Sequence, residues 1–136
     1  MASLKIATWN PDGLSPNVEE VEVLLHSHNI DILLVSETHL TDNNSIHIRN
    51  YNIYSTNHPD GTAHAGAAVI VKSNIKHYEQ QRFKKPHIQA ASVAIDDRNG
   101  TFNVSAIYCP PRHSIKEEQF DELFDTLGKR FIALYI

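Results

Sequence analysis

The chain has 136 residues, 41% of them apolar, with 12 basic against 16 acidic side chains and a net charge of −4. That length suits one domain or a piece of one, and the charge argues against nucleic-acid binding driven by overall electrostatics. The single Cys109 excludes an internal disulfide framework and a multi-cysteine zinc site. The opening Met-Ala-Ser-Leu-Lys lacks a signal peptide's apolar core, and no apolar run approaches the roughly 20 residues that span a bilayer, so an intracellular protein without a membrane segment is expected.

Leu4 to Thr8 reads as a strand that runs into the polar loop Trp9-Asn10-Pro11-Asp12-Gly13. Pro16 to Glu20 then opens a helix, with Asn17 as N-cap and Glu20 completing a capping-box pattern, while Val18, Val21, Leu24, Leu25 and His28 recur at helical spacing. Ile32 to Val35 is apolar at every position, as in a strand covered on both faces, and it hands over to Ser36-Glu37-Thr38-His39. The Asn-rich stretch from Thr41 to Asn50 reads as loop, Tyr51 to Tyr54 and Ala67 to Val71 as strands, and His58 to Gly66 as a turn-rich connection between them. Gln89 to Ile95 is expected to pair with Thr101 to Tyr108 across an Asn99-Gly100 turn, which makes the middle of the chain an antiparallel meander. Ser114 to Glu117 repeats the capping-box pattern, Phe120, Leu123, Phe124 and Leu127 mark an apolar packing stripe, Gly128 caps the helix, and Phe131 to Ile136 resembles a last buried strand. Strand, helix, strand and meander together predict a layered α/β protein.

Charge is unevenly spread: the local balances of residues 1–71, 72–112 and 113–136 are −6, +4 and −2. Lys72, Lys76, Arg82, Lys84, Lys85 and Arg112 fit either a solvated mixed surface or one side of a phosphate groove.

If the runs ending at Thr8, Val35 and Ile107 are neighbouring strands, their carboxyl ends gather Asn10, Asp12, Glu37 and Tyr108 into one polar cleft, where layered α/β folds place ligands. Carboxylate and carboxamide oxygens are hard ligands suited to a divalent cation, and a phenol and an amide can donate to phosphoryl oxygens. Read on spacing alone, each residue also admits a plainer role. Glu37 can be a hydrogen-bonded strand terminus, Asp12 and Asn10 turn residues, and Tyr108 a packing aromatic. Nine histidines invite zinc, but His26 and His28 point apart on a helix, and His58 and His64 sit on a loop with no evident partners, so zinc is not expected. Cys109 reads as a small packing residue.

The motifs Trp9-Asn10-Pro11-Asp12-Gly13-Leu14, Ser36-Glu37-Thr38-His39-Leu40-Thr41, Ile48-Arg49-Asn50-Tyr51, Thr56-Asn57-His58-Pro59-Asp60-Gly61, Tyr108-Cys109-Pro110-Pro111-Arg112 and Gly128-Lys129-Arg130-Phe131-Ile132-Ala133 occur in that order along the whole chain. In them the chain resembles the endonuclease/exonuclease/phosphatase family that includes DNase I and the apurinic endonucleases, and within it the endonuclease domains of jockey-type non-LTR retrotransposons. The resemblance implies a DNase I-like four-layered α/β sandwich, of which residues 1–136 would be roughly the N-terminal half of a single domain. It also implies catalytic roles for Asn10, Glu37 and Tyr108, with Mg²⁺ (or Mn²⁺) held by Glu37, Asn10 and Asp12. The implied reaction is phosphodiester hydrolysis that nicks double-stranded target DNA to prime reverse transcription. The implied partner is the reverse transcriptase region of a longer polyprotein, and the implied location is the nucleus.

The Gly-Asp-x-Asn and Ser-Asp-His motifs that complete the family's catalytic set are absent, Leu134-Tyr135-Ile136 standing where the first would begin. The isolated chain is therefore expected to be catalytically dead or nearly so. Its second sheet is expected to be largely missing, leaving apolar strand faces open to water. The alternative is a non-catalytic retrotransposon remnant that binds nucleic acid or protein through the basic middle section.

Overall fold

The computed structural model describes residues 3–97, 100–111, 114–128 and the backbone of 131–135. The first strand, β1 (Ile6–Trp9), leads through a 3-10 turn at Ser15–Asn17 into α1 (Val18–Ser27) and then β2 (Ile32–Ser36). β2 lies parallel to β1, with Ile6 opposite Ile32 and Trp9 opposite Val35, so the loops that follow both strands leave from the same edge. Two antiparallel strands, β3 (Tyr51–Thr56) and β4 (Ala67–Lys72), complete a sheet of order β1-β2-β4-β3.

A second sheet contains β5 (His77–Glu79), β6 (Phe83–Lys85), β7 (Ile88–Asp97), β8 (Gly100–Tyr108) and, after α2 (Glu117–Leu127), β9 (Phe131–Tyr135). The expected β7–β8 hairpin forms, with Gln89 opposite Tyr108 and Asp97 opposite Gly100. Asn99, half of its expected turn, lies outside the described residues. Three expectations are corrected here. The meander is divided between two sheets, β3–β4 in one and β7–β8 in the other. The run ending at Ile107 is a neighbour of β1 and β2 across the sandwich, not within their sheet. The second sheet is present, and its inward face is covered by the first.

That packing follows from the period of two in each strand. Ile32, Leu34, Val69 and Val71 of the first sheet meet Ala91, Val93, Ile95, Val104 and Ala106 of the second in one buried cluster. The alternate residues Leu33, Val35, Ala68 and Ile70 face outward, against Val21 and Leu25 of α1. On the far side, Leu123 and Leu127 of α2 pack with Phe83, Ile88, Ala90, Ile107 and Cys109. The layers run helix, sheet, sheet, helix, which explains why β2 and β4 are apolar at nearly every position. Each fully buried Leu or Ile contributes about 1.5–3 kcal/mol relative to exposure. Phe124, expected in the α2 stripe, is instead 45% exposed.

Asn17 precedes α1 but makes no side-chain cap; its amide donates to the carbonyls of Pro11 (3.2 Å) and Gly13 (2.8 Å). The residue thus braces the β1–α1 loop. At α2 the bracing bond runs from the Lys116 N–H to Gln119 Oε1 (2.8 Å), rather than starting from Ser114, and Gly128, at φ 78°, closes the helix as expected.

Gln89 is a fully buried amide near the start of β7. Its Oε1 accepts the Gly66 N–H at 3.1 Å, and its Nε2 donates to the carbonyls of Lys85 (2.8 Å) and Pro86 (3.3 Å). Thr56 Oγ1 donates to the Ala90 carbonyl at 2.9 Å, a second polar link between the sheets. Both links lie at the edge from which the β2 loop departs, since Ala67 is opposite both Ser36 and Thr56.

Candidate active site

The loops after β1 and β2 are stitched together: the Gly13 N–H donates to the Glu37 carbonyl (3.0 Å) and the Leu14 N–H to that of Thr38 (2.8 Å). The segment after β2 is fastened on its other side to the end of the 58–66 loop. Gly66 O accepts the N–H groups of Glu37 (2.8 Å) and Thr38 (3.3 Å), and Ala65 O accepts that of His39 (2.9 Å). Asp12 (φ 51°), Glu37 (φ 59°), His39 (φ 57°) and Ala65 (φ 53°) all have left-handed backbones. Such conformations cost non-glycine residues roughly 1–2 kcal/mol each and concentrate where surrounding structure holds a functional side chain in place.

Gly66, at φ +88°, is the keystone of this arrangement: an added Cβ would lie 2.6 Å from Thr38 Oγ1 and 3.3 Å from Thr56 O. Gly66→Ala is expected to destabilise the fold by about 2–4 kcal/mol, combining overpacking with backbone strain, and thermal denaturation measures it. A Tm within a degree or two of wild type would show that the strap tolerates displacement.

Asn10, Asp12, Glu37 and Tyr108, singled out in the sequence, come together here. Tyr108 O–H, from the second sheet, donates to Glu37 Oε1 at 2.9 Å, and Asn10 Nδ2 donates to the same oxygen at 3.5 Å. Asn10 Oδ1 accepts the Asp12 N–H at 3.0 Å. His39, not singled out from the sequence, joins them: its Nε2 lies 3.2 Å from Glu37 Oε2 and 3.5 Å from Asp12 Oδ1. The Glu-Thr-His spacing was a usable signal, but the left-handed turns at Glu37 and His39, which aim both side chains into one cleft, are not visible in residue types.

The electrostatics express this crowding. The hydrogen bond with Glu37, and then that carboxylate's charge, push the Asp12 carboxyl above its usual range. Glu37 is itself opposed by desolvation, yet its hydrogen-bonded contacts with Asp12, Tyr108, Asn10 and His39 outweigh that and hold it below the usual glutamate range. Desolvation and the neighbouring Glu37 carboxylate push the Tyr108 phenol up to about 12. At neutral pH Tyr108 is therefore a donor and Glu37 an anion. Asp12, Glu37 and His39 offer ligand atoms within 4.8 Å of one another, close enough for one cation to bridge. Two carboxylates pressed together form a donor set that a divalent cation relieves, so the residues present fit such an ion.

The wider cleft, about 430 Å³, extends from Glu37, His39 and Tyr108 to His58, His64 and Pro110. The basic middle section does not line it as a set. Lys72 pairs with Asp31 (3.1 Å) at the opposite end of the first sheet, Lys76 pairs with Asp96 (3.4 Å), and Arg82 with Glu79 (2.9 Å). Lys85 reaches Glu122 at 3.9 Å. Arg112 lies outside the described residues. For Lys72, Lys76, Arg82 and Lys85 these pairings favour the mixed solvated surface over the phosphate groove.

Residues 7–133 match the model of the endonuclease/exonuclease/phosphatase family. The RNA-directed DNA polymerase from mobile element jockey of Drosophila funebris is 36% identical over 131 residues, covering 96% of this chain and 14% of that protein. A probable RNA-directed DNA polymerase from transposon X-element of Drosophila melanogaster is 32% identical over 134 residues, covering 98% of this chain and 15% of that protein. Among solved structures, the endonuclease domain of TRAS1, a telomere-specific non-LTR retrotransposon, superposes with a TM-score of 0.74 at 18% identity, over 97% of this chain and 59% of that one. The chain thus spans a small fraction of its polymerase relatives and somewhat over half of that endonuclease domain. Among the described residues no helix is long and apolar enough to cross a membrane.

Proposed function

Because the chain belongs to the endonuclease/exonuclease/phosphatase family and is similar to the jockey polymerases, we propose that it forms part of a single retrotransposon endonuclease domain. That domain nicks double-stranded target DNA with Mg²⁺ (or Mn²⁺) and so primes the reverse transcriptase region of the same polyprotein, in the nucleus. The observation that carries this reading is the convergence of Asn10, Asp12, Glu37 and Tyr108, from two different sheets, on one carboxylate-centred point. Glu37, with Asn10 and Asp12, would hold the cation. When bound, the cation supplies Lewis-acid stabilisation of charge on phosphoryl oxygens. Tyr108, a neutral phenol at working pH, faces the scissile phosphate and donates as negative charge grows there, with Asn10 positioned to do the same. His39 orients Glu37 and Asp12 from the opposite side.

The Gly-Asp-x-Asn motif, to which the resemblance assigns the orienting of the attacking water, and the Ser-Asp-His motif do not occur in these 136 residues. A missing general base alone is commonly worth about 10²- to 10⁴-fold, so the isolated polypeptide is expected to show no nicking above background. Grafting the chain in place of the matching segment of the Drosophila funebris jockey protein is expected to restore Mg²⁺-dependent plasmid nicking. A folded graft that does not nick would overturn the proposal, and vigorous nicking by the isolated chain would overturn its dependence on the missing motifs. The remnant-binding alternative draws less support, since Lys76, Arg82 and Lys85 each lie near an acid and do not line the cleft.

A further inference from the structure

We propose that His58, Asp60 and His64 form a second metal site in the same cleft, selective for a borderline-soft divalent ion of the zinc class. The three residues offer ligand atoms within 4.8 Å of one another. His58 Nδ1 lies 3.1 Å from Asp60 Oδ1, and His64 Nε2 lies 3.0 Å from Asp60 Oδ2, so the carboxylate stands between two imidazoles whose centroids are 4.3 Å apart. Two neutral imidazole nitrogens and one carboxylate suit zinc-class ions, leaving a fourth position open, whereas Mg²⁺ prefers all-oxygen surroundings.

The loop holds this set in place before any ion arrives. His58 is only 8% exposed. Asp60 Oδ1 accepts both the N–H and the Oγ1–H of Thr62 at 2.9 Å, and these bonds, led by the backbone one, hold its carboxyl below the usual aspartate range. The Gly61 N–H donates to the His58 carbonyl at 3.1 Å, closing the turn. The Asp60 N–H donates to His58 Nδ1 at 3.2 Å in a part-buried position, so coordination through that nitrogen exchanges this hydrogen bond for a metal bond. Ala65 and Gly66 at the loop's end are the acceptors for the backbone of His39 and Glu37. An ion at His58, Asp60 and His64 therefore stiffens the wall of the cleft that carries Glu37. This site rests on its own ligand geometry and not on the nuclease reading.

The test is a Zn²⁺ titration of the chelator-treated 136-residue chain in excess Mg²⁺, followed by calorimetry, with circular dichroism confirming the fold of each variant. Wild type and Glu37→Gln are expected to bind alike, and His64→Gln at least about 10-fold more weakly, since even outer-shell partners of metal ligands cost 10- to 100-fold. His64 is exposed, so its replacement spares the core. His64→Cys retains three ligands and, with Co²⁺ as probe, is expected to develop a thiolate-to-metal charge-transfer band absent from wild type. Binding unaffected by His64→Gln, or abolished by Glu37→Gln, would assign the ion to the carboxylate cluster and overturn the proposal. Absence of Zn²⁺ binding by folded wild-type chain would overturn it as well.

Discussion

In the grafted protein, Glu37→Gln is expected to lower Mg²⁺-dependent nicking by about 10³-fold or more while leaving the circular dichroism spectrum unchanged. The glutamine amide keeps the shape and can still accept the Tyr108 hydrogen bond through its oxygen, so the change removes chiefly the charge. That charge is secure in the wild type: hydrogen-bonded contacts, among them those donated by Tyr108 and Asn10, overcome the desolvation that opposes it. Loss of a single preorganised group at a developing oxyanion typically costs 10²- to 10³-fold, and loss of the central cation ligand removes such a group together with the ion's anchorage. Nicking within 10-fold of wild type at saturating Mg²⁺ would remove Glu37 from the centre of the reaction.

Tyr108→Phe is expected to reduce nicking by about 10²-fold and to change alkaline stability in the opposite sense. With the phenol raised from 10.0 to about 12, the folded state keeps its proton across a pH range where the unfolded chain has lost it. The unfolded state binds fewer protons there, so stability falls as pH rises from about 10 to about 12, by at most about 2–3 kcal/mol from this residue. Urea denaturation at pH 9 and pH 11 reads the effect. Tyr108→Phe should lose less stability than wild type over that interval, although Tyr51 and Tyr54, also raised by desolvation, leave a residual slope in both proteins. Equal losses would mean that Tyr108 is not held as described.

Most strands were legible because apolar runs of four to eight residues, broken by Gly, Asn and Pro, leave little choice of element, whereas β5 and β6, three residues each and largely polar, carry no such run and were missed. Their assignment to sheets was not. Ile32–Ser36 and the buried stretch of Ile88–Asp97 are covered on both faces, so neither carries a polar face to mark the sandwich interior, and the meander looked continuous. The site residues could be nominated because loops after strand ends gather polar groups, yet Tyr108 reaches Glu37 across the sandwich, a juxtaposition that no in-sheet adjacency predicts. Asn17 carried a capping signal that its side chain does not obey, because two loop carbonyls compete for the same amide. His58 and His64 seemed partnerless because a turn around Asp60, not a periodic spacing, brings them together.

Gln89 helps to fix the alignment of the two sheets. An amide offers opposite hydrogen-bonding character at its two ends, and here the oxygen accepts from one N–H while the nitrogen donates to two carbonyls. Glutamate could answer only the first demand, and methionine neither. The lateral offset of one sheet on the other is thus indexed by Gln89 together with Thr56, directly beneath the segment that carries Glu37. Position 89, opposite Tyr108 on the neighbouring strand and bonded to the Gly66 that fastens Glu37, therefore sets the spacing of the cleft from below.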